Sequence, residues 1–294
     1  MKYPNTFLIG APKCGTTSIS GWLAQHPDVF FSENKELDFF YNYKGMKSEL
    51  TDYLNNFEGA DRRHSVIAEG SVWYLFSPEA IVSIEQSFPC AKYIVCLRNP
   101  VEMAISLHAQ KVYTGHELER DFVKAWELSD SRARGGFDKI FDLKGGDPSH
   151  MAYKKACMLG SQVDALLRIV SPERVKFIVM DDIKNCPELV WKDLQSFLEI
   201  DPFDRIKFTH ANKATKRKFL GLHYFLMVVA RLKRKAGINF NTGILSGVHR
   251  YNNVESRYDY PSEQFVKELK EYFYNDVRRL SALVKRDLES WVNN

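Results

Sequence analysis

The sequence is poor in cysteine, and its few cysteines are not arranged as a metal-binding pair. There are five, an odd number, spread over most of the chain without a CxxC spacing. That pattern argues against a zinc site. A reduced, cytoplasmic setting is its simplest interpretation, because stable disulfides belong to oxidising compartments. The residues concerned are Cys14, Cys90, Cys96, Cys157 and Cys186.

The sequence also lacks a hydrophobic run of the length that crosses a bilayer, which is roughly 20 residues. Only six residues precede Phe7-Leu8-Ile9, so we expect no signal peptide or anchor ahead of the first motif. The most apolar later segment, 219–230, runs into four basic residues that end at position 235. It is typical of a buried helix whose basic end complements the helix dipole. The alternative is a helix over 219–235 that makes a peripheral membrane contact or lies beside an anionic acceptor.

The chain has no strong excess of charge of one sign. Its 41 Lys and Arg residues against 37 Asp and Glu residues give a net charge of +4. A general nucleic-acid binder would carry denser and clustered basic residues, so the charge does not indicate that class. The mild positive charge suits small anionic ligands. Hydrophobic residues make up 45% and charged residues 27%, which is typical of an ordinary packed, soluble protein.

The length of 294 residues fits one large α/β domain. Internal repeats, low-complexity tracts and clear linkers are missing, so we predict a single domain over 1–294. Short apolar runs alternate with helical segments, which favours a central parallel sheet flanked by helices. The predicted strands cover 6–10, 65–68, 91–97 and 175–180, and the predicted helices cover 16–25, 78–88, 100–113, 159–170 and 187–198.

Two regions depart from this alternation. The segment 131–150 carries two Gly-Gly pairs among charged residues, which predicts a mobile loop. From about residue 201 the strand pattern fades, and a mostly helical C-terminal part is predicted. Pro261 opens a last long helix there. Its apolar face is predicted to comprise Phe265, Leu269, Phe273, Val277 and Leu280.

The segment GAPKCGTTS at 10–18 follows a predicted strand and opens a predicted helix. The first amides of a helix lack partners within it and lie at the positive end of its dipole, so this position binds phosphate readily. Gly15 lets the backbone approach an anion closely. Thr16 and Thr17 add hydroxyl donors. The sequence therefore predicts a phosphate-binding loop.

This loop differs from the Walker A motif of nucleotide triphosphatases, GxxxxGK[ST]. Thr16 follows the second glycine where that motif has lysine, and the lysine of this loop is Lys13, two positions before that glycine. The loop therefore suits a single 5′-phosphate and the group attached to it. A small-molecule kinase has the same strand–loop–helix architecture and stays an alternative, which magnesium dependence would identify.

Several segments together resemble one enzyme family. KCGTTS at 13–18 resembles the 5′-phosphosulfate-binding loop of sulfotransferases. LRNP at 97–100, followed by Ser106, resembles their 3′-phosphate-binding motif. KELDFF at 35–40 is similar to the KEPxFF signature of the glycan sulfotransferases of the heparan-sulfate type and their bacterial relatives. The segments 69–74 and 269–291 resemble further parts of that group, so the resemblance covers most of the chain.

The resemblance implies a sulfotransferase with 3′-phosphoadenosine 5′-phosphosulfate (PAPS) as donor. The acceptor would be a hydroxyl or an amine, on a carbohydrate or glycolipid. Arg98 would pair with the 3′-phosphate through its planar fork, and Ser106 would donate to the same group. No metal is implied, because the donor has no β,γ-diphosphate to bridge. The 5′ end of the donor would be held by Lys13, Cys14, Gly15, Thr16, Thr17 and Ser18.

Sulfuryl transfer is an in-line displacement, in which the protein positions the reactants and stabilises charge. Lys13, a compact point charge, is the implied stabiliser of the leaving phosphate. Glu36 is the implied base, and burial near Phe39-Phe40 would raise its pKa into a useful range. The alternative for Lys35-Glu36 is an ordinary exposed ion pair.

Other candidates and departures stay open. Glu69 is a weaker candidate, as an acceptor contact or a support for Lys13, and His64 and His108 are possible bases. Leu37 replaces the proline of KEPxFF, and Gly70 stands where many of these enzymes carry lysine. Both departures argue against a heparan-like, multiply anionic acceptor. The candidates for a late basic residue that closes over the nucleotide are Arg250 and Arg257.

Two further alternatives concern the function as a whole. The acceptor could be the hydroxyl of a lipid or a secondary metabolite, since the aromatic content of 13% suits sugar stacking and an apolar pocket equally. The chain could instead be a catalytically silent binding module. Its Lys13, Glu36, Arg98 and Ser106 argue against that alternative.

Overall fold

Contacts divide the chain into two compact units. The first comprises Met1–Ala104, Lys154–Ala211 and Glu263–Asn294, and the second comprises Ile105–Tyr153 and Asn212–Ser262. The predicted single domain over 1–294 stays a prediction. The structure, a computed structural model, describes residues 3–41, 49–136, 147–208, 215–217, 253–255 and 260–293.

A parallel sheet forms the centre of the first unit. Its strands are β1 (Thr6–Gly10), β2 (Val29–Phe31), β3 (Val66–Gly70), β4 (Lys92–Leu97) and β5 (Val175–Val179). Their order is β2-β3-β1-β4-β5, and all neighbouring pairs are parallel. Residues of β1 and β3 are buried throughout, as expected for strands covered on both faces. The segments that follow β3, β1 and β4 therefore leave the sheet at the same edge.

Helices flank these strands and account for much of the rest of the described chain. Ser77 caps the third helix as predicted, because its side chain accepts a hydrogen bond from the amide of Ala80. The helices are α1 (Thr16–Leu23), α2 (Leu50–Leu54), α3 (Pro78–Ser87), α4 (Pro100–Thr114), α5 (Phe122–Glu127), α6 (Ser129–Ala133), α7 (Tyr153–Ala156), α8 (Leu159–Leu167), α9 (Met180–Asn185), α10 (Pro187–Leu198) and α11 (Glu263–Val284).

An aromatic cluster in the first unit anchors the segment that follows β2. The ring of Phe40 meets the rings of Phe7 at 6.2 Å, Tyr53 at 5.3 Å and Tyr74 at 5.9 Å, all close to edge-to-face. Such pairs contribute about 0.5–1.5 kcal/mol each beyond their buried area. The segment at 35–40 is thereby fixed against the sheet.

The C-terminal helix closes the first unit. α11 packs on α8, and the carboxylate of Asp276 accepts hydrogen bonds from the amides of Gly160 and Ser161 at the start of α8. Further on, the carbonyl of Trp291 accepts from the side chain of Asn99 at 3.2 Å. Of the predicted apolar face, Leu269, Phe273, Val277 and Leu280 are buried.

The second unit has a polar core of its own. Arg132 and Glu117 form a buried ion pair, with Nη1–Oε2 and Nη2–Oε1 distances of 2.6 Å and 2.9 Å. The hydroxyl of Tyr153 donates to the same carboxylate at 2.9 Å. This unit also contains the antiparallel pair of β6 (Thr215–Arg217) and β7 (Asn253–Glu255).

The structure confirms the predicted fold class, a parallel sheet flanked by helices, and corrects several details. β2 was not predicted, and the strand predicted to end at 180 gives way at Met180 to α9. The start of α9 is acidic, with Asp181 and Asp182, which favours a helix N-terminus. The C-terminal part, predicted as mostly helical, also contains the paired strands β6 and β7.

Some predictions fall on parts of the chain that the structure does not describe. The predicted loop at 131–150 proves helical at both ends, in α6 and in the 3₁₀ turn Pro148–Met151, while 137–146 lie outside the described residues. The segment 219–235, Arg250 and Arg257 lie outside them as well. Among the helices that are described, none combines the length and apolarity that a membrane span needs.

Candidate functional site

The loop between β1 and α1 carries the predicted phosphate ligands. Lys13 and Gly15 both have left-handed backbone, with φ of 66° and 95°. Gly15 is the N-cap of α1, and no side chain in the described part of the chain caps this helix start. The first amides of α1 are therefore available to a ligand, as the sequence predicts.

Glycine is required at position 15 by its backbone and by its neighbour. A Cβ there would lie 2.7 Å from Cδ1 of Ile183, and the positive φ is strained for any L side chain. Ile183 belongs to α9, which follows β5. The loop is thus packed against a second element at the same edge of the sheet.

Side chains of the loop divide into buried and accessible ones. Thr16 and Ser18 are buried, whereas Thr17 is exposed. Cys14 is fully buried, its thiol donates to the carbonyl of Pro12 at 3.4 Å, and burial raises its pKa to about 12. The Cys14 thiol therefore stays neutral and packs in the interior. Only the backbone of this residue can serve a ligand.

Lys13 lies in an environment that disfavours its own charge. Burial lowers the pKa of Lys13, and the nearby guanidinium of Arg98 lowers it further. Two cations are held close together at the end of β1 and β4. An anion bound between them would relieve this repulsion, which is the condition expected of a phosphate site.

Arg98 connects the two predicted phosphate-binding motifs. Its Nη1 donates to the carbonyl of Lys13 at 3.0 Å, while Nε and Nη2 both donate to Oε2 of Glu102, at 3.0 Å and 2.8 Å. Three of the five N–H groups of the guanidinium are used in this way, and the other two have no partner among the described residues. The two motifs, predicted separately from the sequence, are thus linked through this one side chain.

The segment after β2 is hydrogen-bonded to the end of β3. The amide of Glu36 donates to the carbonyl of Gly70 at 2.8 Å, and the amide of Asp38 donates to the hydroxyl of Ser71 at 3.0 Å. Glu36 and Asp38 have positive φ of 61° and 50°. The amide of Val72 in turn donates to Oε2 of Glu36 at 2.9 Å. These bonds fix the Glu36 carboxylate in one orientation.

Lys35 brings this carboxylate and the phosphate loop together. Its Nζ donates to Oγ1 of Thr16 at 3.3 Å and to Oγ1 of Thr17 at 3.4 Å, and it lies 3.8 Å from Oε1 of Glu36. The Glu36 side chain is 38% exposed, yet desolvation still raises its pKa, while the Val72 amide and Lys35 act in the opposite direction. A partly exposed carboxylate beside the loop can receive a proton from a ligand.

Glu69, the weaker candidate, is enclosed in the core. Its side chain is 0% exposed. Burial raises its pKa to about 8, and the nearby carboxylates Asp38 and Glu36 raise it further, while the hydroxyls of Tyr74 and Ser71 lower it only in part. Burial thus favours the protonated form of Glu69, and its enclosed position rules out a direct contact with an acceptor in this conformation.

We expect Glu69→Gln to flatten the dependence of stability on pH. Folded Glu69 keeps its proton up to a pKa of about 8, but the unfolded chain loses it near pH 4.3. The raised pKa therefore stabilises the fold at low pH, and this contribution is lost as pH rises, by up to about 1.4 kcal/mol per pH unit. Denaturant unfolding from pH 5 to 9 measures the slope, with the exposed Glu58→Gln as control. Equal slopes in both variants would contradict the assignment.

The remaining candidates have structural partners. Ser106 is buried in the part of α4 that belongs to the second unit. In that unit, Nε2 of His108 lies 2.9 Å from the carbonyl oxygen of Glu119. Nδ1 of His64 accepts from the amide of Asp61 at 3.0 Å in the first unit. The role of Ser106 at a 3′-phosphate stays a prediction.

Sequence reasoning missed two contributors to this site. Glu102 was not considered, although its i,i+4 spacing from Arg98 at a helix start is a pattern that favours an ion pair. Lys35 was noted within a motif but given no role. No sequence signal places its ammonium on the loop hydroxyls, because that contact joins residues far apart in the chain.

The fold and this edge of the sheet define the class of protein. A parallel sheet carries the predicted phosphate loop after β1, an arginine after β4 and a carboxylate beside the loop. The chain belongs to the sulfotransferase domain family, whose pattern matches residues 3–222. This confirms the predicted family and the predicted transferase class.

Three individual sulfotransferases are similar to this chain. A sulfotransferase of Alicyclobacillus acidocaldarius has the same fold, with a TM-score of 0.71, 24% identity and 100% of both chains covered. The bifunctional heparan sulfate N-deacetylase/N-sulfotransferase 1 of Caenorhabditis briggsae is 24% identical over 68% of this chain. The membrane-associated sulfotransferase kil1 of Dictyostelium discoideum is 23% identical over 71% of it. The chain spans only 23% of the nematode protein and 59% of the amoeba protein.

Proposed function

We propose that the protein transfers the sulfuryl group of PAPS to a hydroxyl or amine of a carbohydrate or glycolipid. Glu36 is the base, and Lys13 stabilises the leaving phosphate. The observation that carries this proposal is the meeting of the phosphate loop with the Lys35-Glu36 segment, where one ammonium lies on Thr16 and Thr17 and within 3.8 Å of the Glu36 carboxylate. Membership of the sulfotransferase family supplies the reaction class.

The donor set of the site fits the anionic ends of this nucleotide. The early amides of α1 and the ammonium of Lys13 suit the 5′-phosphosulfate. The two unused N–H groups of Arg98 suit the 3′-phosphate, for which a planar guanidinium is well shaped. Among the described residues, no three His, Cys, Asp or Glu side chains are grouped as a metal site. The proposed reaction does not depend on that absence.

The step is a direct displacement. A bond forms between the acceptor oxygen or nitrogen and sulfur while the bond between sulfur and the 5′-phosphate oxygen breaks. The acceptor proton passes to the Glu36 carboxylate, and the electron pair of the broken bond stays on the phosphate of the product, adenosine 3′,5′-bisphosphate (PAP). Lys13 offsets the charge that builds on that phosphate.

A carbohydrate acceptor is favoured by the similarity of the chain to a heparan sulfate N-deacetylase/N-sulfotransferase. A lipid or secondary-metabolite hydroxyl is the second candidate, and the membrane-associated relative from the amoeba favours it. We further propose a cytoplasmic setting, which the five free cysteines support. Peripheral membrane contact through 219–235 stays a prediction.

The test is an acceptor screen with labelled PAPS and mass-spectrometric readout, run with EDTA present. Panels of oligosaccharides, glycolipids and hydroxylated lipids are compared. A sulfated carbohydrate or glycolipid with EDTA present is the expected product. If only simple lipids were sulfated, the acceptor class would be lipids rather than carbohydrates or glycolipids. Magnesium-dependent transfer of a phosphoryl group from ATP would instead identify the protein as a kinase.

Arg98 provides a prediction about nucleotide recognition. The unmodified protein should bind PAP at least about tenfold more tightly than adenosine 5′-monophosphate, because each hydrogen bond to a charged group contributes about 1.5–3 kcal/mol. Arg98→Ala should erase most of that preference. Since Arg98 also holds the carbonyl of Lys13, we expect the variant to bind the monophosphate somewhat more weakly as well.

Calorimetric titration of both nucleotides against both proteins measures this. Arg174→Ala is the control, because Arg174 pairs with Glu85 rather than with the loop. Equal affinity of the unmodified protein for the two nucleotides would contradict the 3′-phosphate assignment.

A further inference from the structure

Lys35 is a cation at the site that the proposed step leaves without a role. Its Nζ lies 3.3 Å and 3.4 Å from the hydroxyl oxygens of Thr16 and Thr17. Both distances are long beside the roughly 2.7–2.9 Å of a charge-assisted hydrogen bond. In the described part of the chain its ion-pair partner is Glu36, at 3.8 Å, which is outside hydrogen-bond range. The ammonium is therefore held in place without a close anion.

Keeping this charge at the loop has a cost in the free protein. The Lys35 side chain is only 25% exposed, and a buried ammonium is unfavourable unless it is paired. Desolvation lowers the pKa of Lys35, and Glu36 only partly offsets this. Burial also lowers the pKa of Lys13, which lies in the phosphate loop itself. Neither lysine has its charge fully compensated in the free protein. This is expected of a site whose anion is supplied by the bound ligand.

Gly70 leaves open the path that Lys35 takes. A Cβ at position 70 would lie 3.4 Å from Cε of Lys35 and 3.1 Å from Cζ of Phe31. A side chain extended from that Cβ would start in contact with the stem of Lys35. Glycine at the end of β3 therefore leaves space beside Lys35 where it crosses to the loop.

We propose that Lys35 is a second catalytic cation, which binds the sulfuryl oxygens of the donor, and that Gly70 opens its path. This rests on the proposed function. Lys35 adjoins the carboxylate that accepts the proton, whereas the carbonyl of Lys13 is tied to Arg98 on the nucleotide side. Lys13 therefore serves the leaving phosphate and Lys35 the group in transfer. In the displacement described above, Lys35 offsets the charge that the sulfuryl oxygens carry throughout and takes part in no bond change.

The first experiment separates the two cations without needing an acceptor. Calorimetry with PAP and with PAPS compares the unmodified protein with Lys35→Met, which keeps the stem and removes the charge. We expect PAPS to bind about tenfold more weakly to the variant and PAP to stay within about twofold, since only PAPS carries the sulfuryl group and one charged hydrogen bond is lost.

The second experiment relocates the charge. In Lys35→Ala/Gly70→Lys, a lysine stem starts beside the space that the Lys35 stem has vacated. This double variant should recover part of the PAPS affinity that Lys35→Ala loses. The matched control is Lys35→Ala/Gly70→Ala, which meets the same contact with Phe31 and adds no charge. Melting temperatures of all variants establish that they are folded.

Each outcome decides the inference. Loss of PAPS affinity alone in Lys35→Met, with recovery only in the lysine double variant, supports it. Equal weakening of PAP and PAPS would show that Lys35 merely supports the loop and would overturn it, while the proposed function stands. Equal PAPS affinity in the two double variants would overturn it as well. If the unmodified protein bound neither nucleotide, the proposed function would fail first and this inference with it.

Discussion

Lys13→Ala is expected to lower kcat by about 10²–10³, the loss typical when a preorganised charge-stabilising group is removed. The ammonium acts where negative charge builds as the phosphate departs, so its contribution is greater in the transition state than in the bound donor. Alanine carries the same Cβ as lysine, so the strain at φ 66° is unchanged by the substitution. The variant should therefore fold normally and keep the loop.

The kcat of Lys13→Ala is measured by product formation at saturating donor. Lys184→Ala is a suitable control, because Lys184 is an exposed residue of α9 paired with Asp181. We expect this control to keep kcat within about twofold, since exposed ion pairs contribute little. A loss of less than about tenfold in Lys13→Ala, which is about 1.4 kcal/mol, would show that another group stabilises the leaving phosphate.

Glu36→Gln is expected to lower kcat by about 10²–10⁴, the usual contribution of general acid–base catalysis. The amide keeps the shape of the side chain, and its oxygen can still accept from the amide of Val72. PAP affinity should stay near that of the unmodified protein, because the loop and Arg98 are untouched. A large loss of rate with unchanged binding is the signature of a missing proton acceptor.

The pH dependence of kcat tests the same residue. The base must be ionised, so activity should fall as pH drops through the pKa of Glu36, which desolvation raises above its ordinary value. This acidic limb should disappear in Glu36→Gln. The control is Glu33→Gln, because Glu33 is an exposed residue shortly before Glu36. This variant should keep the kcat and the acidic limb of the unmodified protein. Full activity of Glu36→Gln would transfer the role of base to another residue.

The strand–loop–helix geometry at residues 6–23 was predictable because all its signals lie in one short stretch of sequence. The buried strand, the glycine and the helix start are adjacent in the chain, and the structure keeps β1 at the predicted residues and starts α1 at Thr16. The last helix was predictable for the same reason, since a 3.6-residue apolar period is a local property. Both predictions depend on neighbours in sequence.

The connections between segments were not predictable in this way. Arg98 reaches the carbonyl of Lys13 across 85 positions, and Lys35 reaches Thr16 across 19. The positive φ of Glu36, at a residue other than glycine, follows from its bonds to Gly70 and Val72 rather than from its own preference. Tertiary contacts of this kind override local propensity, and they decide where the charges of the site come to lie.

The contact between Asn99 and Trp291 has a consequence for biosynthesis. The turn that follows β4, next to Arg98, is closed by a carbonyl that leaves the ribosome almost 200 residues later, since 192 positions separate the two partners. The start of α8 likewise waits for Asp276. A nascent chain can build its β–α units in order as they emerge, but it cannot close the turn at Asn99 until Trp291, which follows α11, has been made. A chain halted anywhere before residue 291 would therefore lack the bond that closes this turn.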